Sequence, residues 1–176
     1  MSTATEAPEA AVAKEMLKLK TMDGQLFEVE RELVLRSDTF KNMLGDAESE
    51  NATLDMGPID ADTTARVIEY LRFAAWAEAA KQTRNSDAFR KFETAFMAVA
   101  LGRGYDTERY KLLTAANYLD IKGLVDIVSG YYAHEIFLRK TPEAIRERFG
   151  IKNDFTPAEE AELRKTHPMP PATGAA

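Results

Sequence analysis

The chain has 176 residues, of which 45 % are hydrophobic and 30 % are charged, a composition typical of one globular domain with a moderate core. Its net charge of −6 argues against nucleic acid or an anionic membrane as the main partner, because like charges repel. It contains no cysteine, which excludes a disulfide framework and a cysteine-ligated zinc site.

The sequence shows no apolar targeting or membrane segment. The first fourteen residues lack the apolar core of a signal peptide and contain Glu6 and Glu9, unlike a transit peptide. No apolar run approaches the roughly 18 residues that a membrane-spanning helix needs. We therefore expect the protein in the cytoplasm and the nucleus, with no membrane partner. Residues 1–15 and 168–176 lack hydrophobic periodicity and are predicted to be disordered tails.

Alternation of apolar and polar residues predicts a β-hairpin near the front of the chain. Leu17 to Thr21 alternates in this way, and Gln25 to Glu30 continues the alternation. Between them, Asp23-Gly24 suits the positive φ angles of a two-residue hairpin turn. Thr53 to Met56 predicts a third strand, which Gly57-Pro58 ends.

Most of the remaining sequence shows the three- and four-residue apolar spacing of helices. The helices predicted in the first part of the chain span Glu32 to Leu35, a segment capped by Ser37-Asp38-Thr39, Asp60 to about Ala80, and Ser86 to Ala98. In the second of these, Phe40, Met43 and Leu44 are predicted to share one face. Short strands followed mostly by helices indicate an α+β fold.

The C-terminal half opens with Ala-Ala-Asn-Tyr-Leu-Asp-Ile-Lys-Gly-Leu, from Ala115 to Leu124. Asp106 or Thr107 is predicted to cap the helix that enters this motif. Asp120 is predicted to cap the helix that follows it. The apolar residues on both sides of the motif recur at helical spacing.

Two short helices with strong boundary signals are predicted near the end of the chain. Thr141 precedes a proline, the combination that starts a helix, and Gly150 suits the left-handed position after its last turn. Thr156 and Glu159 have the spacing of a capping box for the last helix. Phe155 lacks an apolar partner at the usual position of the hydrophobic staple, so it must pack elsewhere, in this chain or in another.

The residue types of catalytic and metal sites are scarce. The two histidines, His134 and His167, do not have the spacing of metal ligands. Gly102-Arg103-Gly104 is half of a phosphate-binding loop pattern, and a helix stop explains it better. We therefore predict that the protein is not an enzyme and that it has no cofactor and no metal.

The motif from Ala115 to Leu124, together with Ile-Lys-Asn-Asp-Phe-Thr from Ile151 to Thr156, resembles the Skp-one family (S-phase kinase-associated protein). The similarity runs from about Leu17 to Lys165. It implies a BTB/POZ-like fold, in which helices cover a small three-stranded sheet over residues 16–139. Two extra C-terminal helices, over residues 140–167, are then expected to dock an F-box protein.

The resemblance implies a non-catalytic adaptor of an SCF-type ubiquitin ligase, which bridges an F-box substrate receptor to a cullin scaffold for ubiquitin-dependent protein degradation. The residues implied to bind the cullin are Asn117, Tyr118, Phe40, Met43 and Leu44. The last three are equally suited to the core. The residues implied to bind the F-box are Leu124, Val125, Ile151, Lys152, Asn153, Asp154, Phe155, Glu159, Leu163 and Arg164.

Two other interpretations of the sequence stay open. The chain suits a structural subunit of a non-ligase F-box-containing assembly without a cullin, because Met169 aligns with a tryptophan that anchors the F-box in family members. It also suits a free-standing BTB-type oligomerisation module. Since unoccupied docking surfaces are apolar, the unpartnered chain is able to form a homodimer.

Overall fold

Three strands and eight helices make up the described part of the chain, residues 14–45, 52–99, 107–139 and 141–167 of this computed structural model. In chain order the elements are β1 (Met16–Lys20), β2 (Leu26–Glu30), α1 (Arg31–Val34), α2 (Asp38–Leu44), β3 (Thr53–Asp55), α3 (Ala61–Ala79), α4 (Asp87–Val99), α5 (Thr107–Tyr118), α6 (Lys122–Arg139), α7 (Pro142–Phe149) and α8 (Pro157–Thr166). The α+β prediction is confirmed. The predicted helix cap at Asp106, the helix stop at 102–104 and the tail at 168–176 lie outside the described residues.

The strands form one sheet in the order β2-β1-β3, with β1 antiparallel to β2 and parallel to β3. Leu17 lies opposite Val29 on one side, and Leu19 lies opposite Leu54 on the other. All four are buried, so the apolar residues of the alternating pattern form the inner face of the sheet.

The predicted two-residue Asp-Gly turn is wrong: the N–H of Thr21 donates to the carbonyl of Gln25 at 2.9 Å, so the loop between them holds three residues, Met22, Asp23 and Gly24. Of the Asp-Gly pair only Gly24 has a positive φ, +81°, as in three-residue hairpin loops with glycine at the left-handed position.

Residues 14 and 15, which the sequence analysis placed in the N-terminal tail, contact the sheet. The backbone N–H of Arg31 donates to the carbonyl of Glu15 at 2.9 Å, which extends the pairing at the end of the hairpin. The Arg31 guanidinium also lies 2.8 Å from the Glu15 carboxylate, and Lys14 lies 2.9 Å from Glu30. Residues 14 and 15 therefore belong with the sheet and not with the predicted tail.

Side chains cap four helices as the sequence predicts. Asp60 accepts a hydrogen bond at 2.9 Å from the N3 backbone N–H of α3, and Ser37 accepts the corresponding bond of α2 at 3.2 Å. Thr141 caps α7, and Thr156 forms a complete capping box with Glu159 at the start of α8. These local signals fix where the helices begin.

The predicted capping role of Asp120 is wrong. Asp120 adopts a φ of +49° in the turn between α5 and α6, and α6 begins only at Lys122. The carbonyl of Ile121, which accepts from the N–H groups of Leu124 and Val125, starts the helix instead. Aspartate tolerates the left-handed region better than most residues, so it serves the turn here and not the helix.

The hydrophobic core lies between the sheet and helices α3, α5 and α6. Val67 and Leu71 of α3, Leu119 after α5, and Leu124 and Val128 of α6 are at most 1 % exposed. Each residue of this kind gains roughly 1.5–3 kcal/mol from burial. These contacts make α6 part of the body of the fold.

Helix α4 is attached to this body through aromatic side chains. Phe92 of α4 stacks on Phe73 of α3 with the ring centroids 3.6 Å apart, and Phe96 is buried. In contrast, α7 and α8 contain no buried residue. The core therefore ends with α6, and the two C-terminal helices lie on its outside.

The burial of Leu124 predicts a large loss of stability when its side chain is shortened. Leu124→Ala should lower the free energy of unfolding by about 3 kcal/mol, because it removes apolar contacts and leaves a cavity. Urea unfolding followed by circular dichroism measures this loss. Leu163→Ala, the same substitution at an exposed position of α8, is the matched control and should change the value by less than about 0.5 kcal/mol. Equal losses in the two variants would contradict the assignment of Leu124 to the core.

Candidate docking surfaces

The first candidate surface lies where the start of α2 meets the end of α5. The Ser37 hydroxyl donates to the carbonyl of Leu119 at 2.5 Å, and the Thr39 hydroxyl donates to the carbonyl of Tyr118 at 2.9 Å. These bonds place α2 beside the Asn-Tyr pair, where Asn117 is exposed and Tyr118 is 42 % exposed. We call this surface the α2–α5 corner.

Gly57 provides the space for the Tyr118 ring. Its φ is +64°, and a Cβ atom at this position would lie 2.5 Å from the Tyr118 hydroxyl oxygen. The positive φ therefore favours glycine, and the absence of a side chain lets the Tyr118 ring lie against the backbone. Met22, which is exposed, lines a small cavity of about 220 Å³ beside Tyr118, and the sequence analysis did not connect it with this surface.

Two of the residues predicted for the cullin surface belong to the core. Phe40 is 1 % exposed and Leu44 is 5 % exposed, whereas Met43 is 51 % exposed. A four-residue spacing puts Phe40 and Leu44 on the same inward face of α2, and Met43 points away from it. Phe40 and Leu44 therefore cannot contact a partner directly while the core is intact, and of the three only Met43 joins Asn117 and Tyr118 at the corner.

The second candidate surface is an open apolar groove between α5, α6 and α7, with a volume of about 830 Å³. Its apolar lining comprises Tyr110, Leu113, Tyr132, Ala133, Ile136, Ile145, Phe149 and Ile151. Beside it, Phe137 is 75 % exposed and Leu138 is also exposed. The sequence analysis predicted only Ile151 among all these residues. The sequence did contain a sign of this exposed apolar surface. Positions 136–138 hold three consecutive apolar residues, which cannot all lie on one side of a helix.

The structure places most residues predicted for the F-box surface on the outside of the molecule. Ile151, Phe155 and Leu163 are large apolar residues that remain exposed in the C-terminal helices and the turn between them. The polar members, all exposed, are Lys152, Asn153, Asp154, Glu159 and Arg164. Val125 is half-buried against the core.

Leu124 does not belong to this surface. It is 0 % exposed, because it lies on the face of α6 that packs into the core. Helical spacing showed that this face is apolar, and the structure shows that the chain's own residues cover it. Leu124 can support this surface only by packing beneath it in the core, without contacting a partner directly.

Ion pairs attach α7 to α6. Glu135 of α6 accepts from Arg148 of α7 at 2.8 Å and from Arg139 at 2.9 Å. The adjacent guanidinium of Arg148, followed by that of Arg139, holds the pKa of the Glu135 carboxyl below its usual value. The Tyr132 ring adds a contact with the Phe149 ring, at 6.0 Å between centroids. Ion pairs and an aromatic contact thus both position α7 against α6.

Other kinds of site find no support in the described residues. Across residues 14–45, 52–99, 107–139 and 141–167, no three histidine, aspartate or glutamate side chains lie where they could hold a metal ion. Within the same ranges, no helix combines the length and the apolar character needed to cross a membrane.

A three-stranded sheet covered by helices and carrying exposed apolar surfaces defines a protein-interaction domain of the BTB/POZ-like class. Residues 15–75 match the tetramerisation domain of the Skp1 family, and residues 122–169 match the dimerisation domain of the Skp1 family. The chain belongs to the Skp1 family, as its resemblance to Skp-one proteins predicted.

Individual relatives extend this similarity over most of the chain. The chain is 34 % identical to the "SCF ubiquitin ligase complex protein SKP1b" of Dictyostelium discoideum, over 85 % of this chain and 92 % of that protein. It is 35 % identical to "SKP1-like protein 4" of Arabidopsis thaliana, over 88 % of this chain and 94 % of that protein. It is 37 % identical to "SKP1-like protein 1A" of the same plant, over 84 % and 91 %, respectively.

The contact between Gly57 and Tyr118 predicts opposite effects for two glycine-to-alanine substitutions. Gly57→Ala should lower the free energy of unfolding by about 1 kcal/mol or more, because alanine is strained at positive φ and its Cβ displaces Tyr118. Gly130→Ala, in the open middle of α6, should instead stabilise the protein by about 0.5–1 kcal/mol. Urea unfolding measures both values. If Gly57→Ala proved neutral, the described contact would be wrong.

The low pKa of Glu135 predicts that α7 detaches in acid. A carboxyl whose pKa is lower in the folded state stabilises that state above its ordinary pKa and stops doing so as the pH falls through the lowered value. Hydrogen exchange, corrected for intrinsic rates, should therefore show α7 losing protection at pH values below about 4.5, the ordinary pKa of glutamate. In Glu135→Gln the protection of α7 should be about fivefold lower at neutral pH, without this acid step.

Glu147→Gln is the control for this experiment, because Glu147 is exposed on the same helix. It should leave the protection of α7 and its acid step unchanged. A loss that spread equally to α5 in Glu135→Gln would indicate global unfolding and would refute a local role for Glu135.

Proposed function

We propose that this chain is the adaptor subunit of an SCF-type ubiquitin ligase, which joins an F-box protein to a cullin. The observation that carries the proposal is the presence of two exposed apolar surfaces on one small body, the α2–α5 corner and the α5–α6–α7 groove. A chain that only had to fold would leave less apolar surface open to water. The name of the Dictyostelium relative, an SCF ubiquitin ligase complex protein, supports the same role.

The groove and the C-terminal helices are proposed to hold the F-box protein. Helices of a partner can lay their apolar faces against Phe137, Ile151, Phe155 and Leu163. Such burial contributes about 25 cal/mol per Å² of apolar area before the costs of association are subtracted. The surrounding polar residues then set the register of the partner more than its affinity.

The α2–α5 corner is proposed to hold the cullin. Asn117 and Tyr118 present an amide and a phenol beside the exposed thioether of Met43, with Met22 nearby. Tyrosine offers a large rigid contact area and a polar end, which suits an interface. No reaction is assigned to the protein itself: it would act by holding its two partners together, in the cytoplasm and the nucleus.

Substitutions at the two surfaces should separate the two partners. The double substitution Asn117→Lys and Tyr118→Lys should abolish cullin binding, because it adds two charges to a neutral contact, and should leave F-box binding intact. Phe137→Asp should have the reverse effect, because it places a carboxylate in an apolar interface. Affinity capture with a purified cullin and a purified F-box domain, each tested alone, measures both.

Circular dichroism of each variant shows whether the fold is retained. Loss of both partners together with unfolding would mean that Asn117 and Tyr118 are structural. Retained cullin binding in the double variant would exclude the corner as its site. An F-box protein co-purifying from source cells without a cullin would favour the alternative, a structural subunit of a non-ligase assembly.

A further inference from the structure

One carboxylate holds the turn between α7 and α8. Glu160 Oε1, in the first turn of α8, accepts from Arg146 Nη1 of α7 at 3.0 Å and from Asn153 Nδ2 of the turn at 2.8 Å. Asn153 Oδ1 in turn accepts from the backbone N–H of Phe155 at 3.2 Å. We call the three side chains of Glu160, Arg146 and Asn153 the Glu160 clasp.

The clasp fixes the position of the Phe155 ring and leaves it open to solvent. The guanidinium carbon of Arg146 lies 5.8 Å from the centre of the ring, within cation–π distance. Asn153 holds the backbone of Phe155 on the other side. The ring is nevertheless 46 % exposed, and α8 behind it has no buried residue. Polar contacts thus hold in place an apolar side chain that adds little to the core.

The surroundings of Glu160 favour its charged form. It lies at the positive N-terminal end of α8, where a carboxylate is stabilised. The hydrogen bond from Asn153, followed by that from Arg146, holds the pKa of the Glu160 carboxyl below its usual value. The other charged groups nearby are Arg164, one turn further along α8, and its partner Glu143 of α7 at 2.6 Å. The clasp is therefore charged and closed at neutral pH.

We propose that Glu160 is a positioning residue for the F-box partner: without touching the partner, it holds the turn so that Phe155 is already presented when the partner arrives. This role rests on the proposed F-box binding and identifies the residue that orders the binding surface before the partner arrives. If only a fraction of the molecules presents Phe155 correctly, the apparent affinity falls by that fraction. A residue that acts in this way lowers the association rate by the fraction of free molecules that present Phe155. The dissociation rate stays the same, because the partner leaves from the same bound geometry in both proteins.

Binding kinetics test this role with two matched substitutions. Glu160→Gln removes the charge of the clasp, and Glu162→Gln makes the same change at an exposed position of α8 that pairs with Lys165 of the same helix. With a purified F-box domain immobilised on a biosensor, Glu160→Gln should associate about fivefold more slowly and dissociate at the wild-type rate. Glu162→Gln should behave as wild type. An unchanged association rate would overturn the proposal, and so would faster dissociation alone, which indicates a direct contact.

NMR of the free chain separates this role from the proposed function. In the wild-type protein the side-chain amide signals of Asn153 should shift as Glu160 titrates in the acid range, and this shift should be absent in Glu160→Gln. If the Asn153 signals of the wild-type protein do not shift, the clasp does not form and the positioning role is refuted, even if an F-box domain binds. If the titration is present but no F-box domain binds, the proposed function fails and its use of the clasp fails with it.

Discussion

Helix α6 extends beyond the hydrophobic core against which its first half packs. The rest of the structure depends on this difference in length. Its first half carries Leu124, Ile127 and Val128, which are buried in the core. The second half continues past the core and carries the exposed residues Ile136 and Phe137. An uncovered apolar helix end forms one wall of a groove as soon as α5 and α7 flank it. The same helix therefore stabilises the body and forms one wall of an exposed apolar groove.

Different forces hold the two parts of the molecule. The body is held mainly by burial of apolar side chains, an attraction that salt does not screen as it screens charges. The C-terminal helices, which contain no buried residue, are held in part by ion pairs such as Arg148–Glu135 and Arg146–Glu160, which salt screens. A partner can therefore adjust α7 and α8 at small cost, while the sheet and α1 to α6 keep their arrangement. This division suits a protein that must fold alone and still accept a partner at one end.

The sequence predicted the elements well because the signals that bound them are local. Thr156 and Glu159, for example, form their capping box within one turn, so tertiary packing has little influence on it. The prediction failed where packing decides the outcome. The family resemblance implied docking roles for Phe40, Leu44 and Leu124, with the core left open for the first two. Helical spacing could not decide between the roles, because it shows that a face is apolar but not whether the chain itself covers it. The ion pairs between α6 and α7 join residues that only folding brings together, so no local sequence pattern predicts them.

A buried arginine orients α5, the wall that both candidate docking surfaces share. Arg109 is 2 % exposed, donates to the carbonyl of Met97 at 3.1 Å and lies 4.2 Å from the centre of the Tyr131 ring. A buried guanidinium is costly unless it has such partners, so these contacts favour the rotation of α5 in which Arg109 faces the core. With Arg109 turned inward, Tyr110 points outward and lines both the groove and the cavity beside Tyr118. The orientation of α5 thus places one exposed tyrosine at the border of both surfaces.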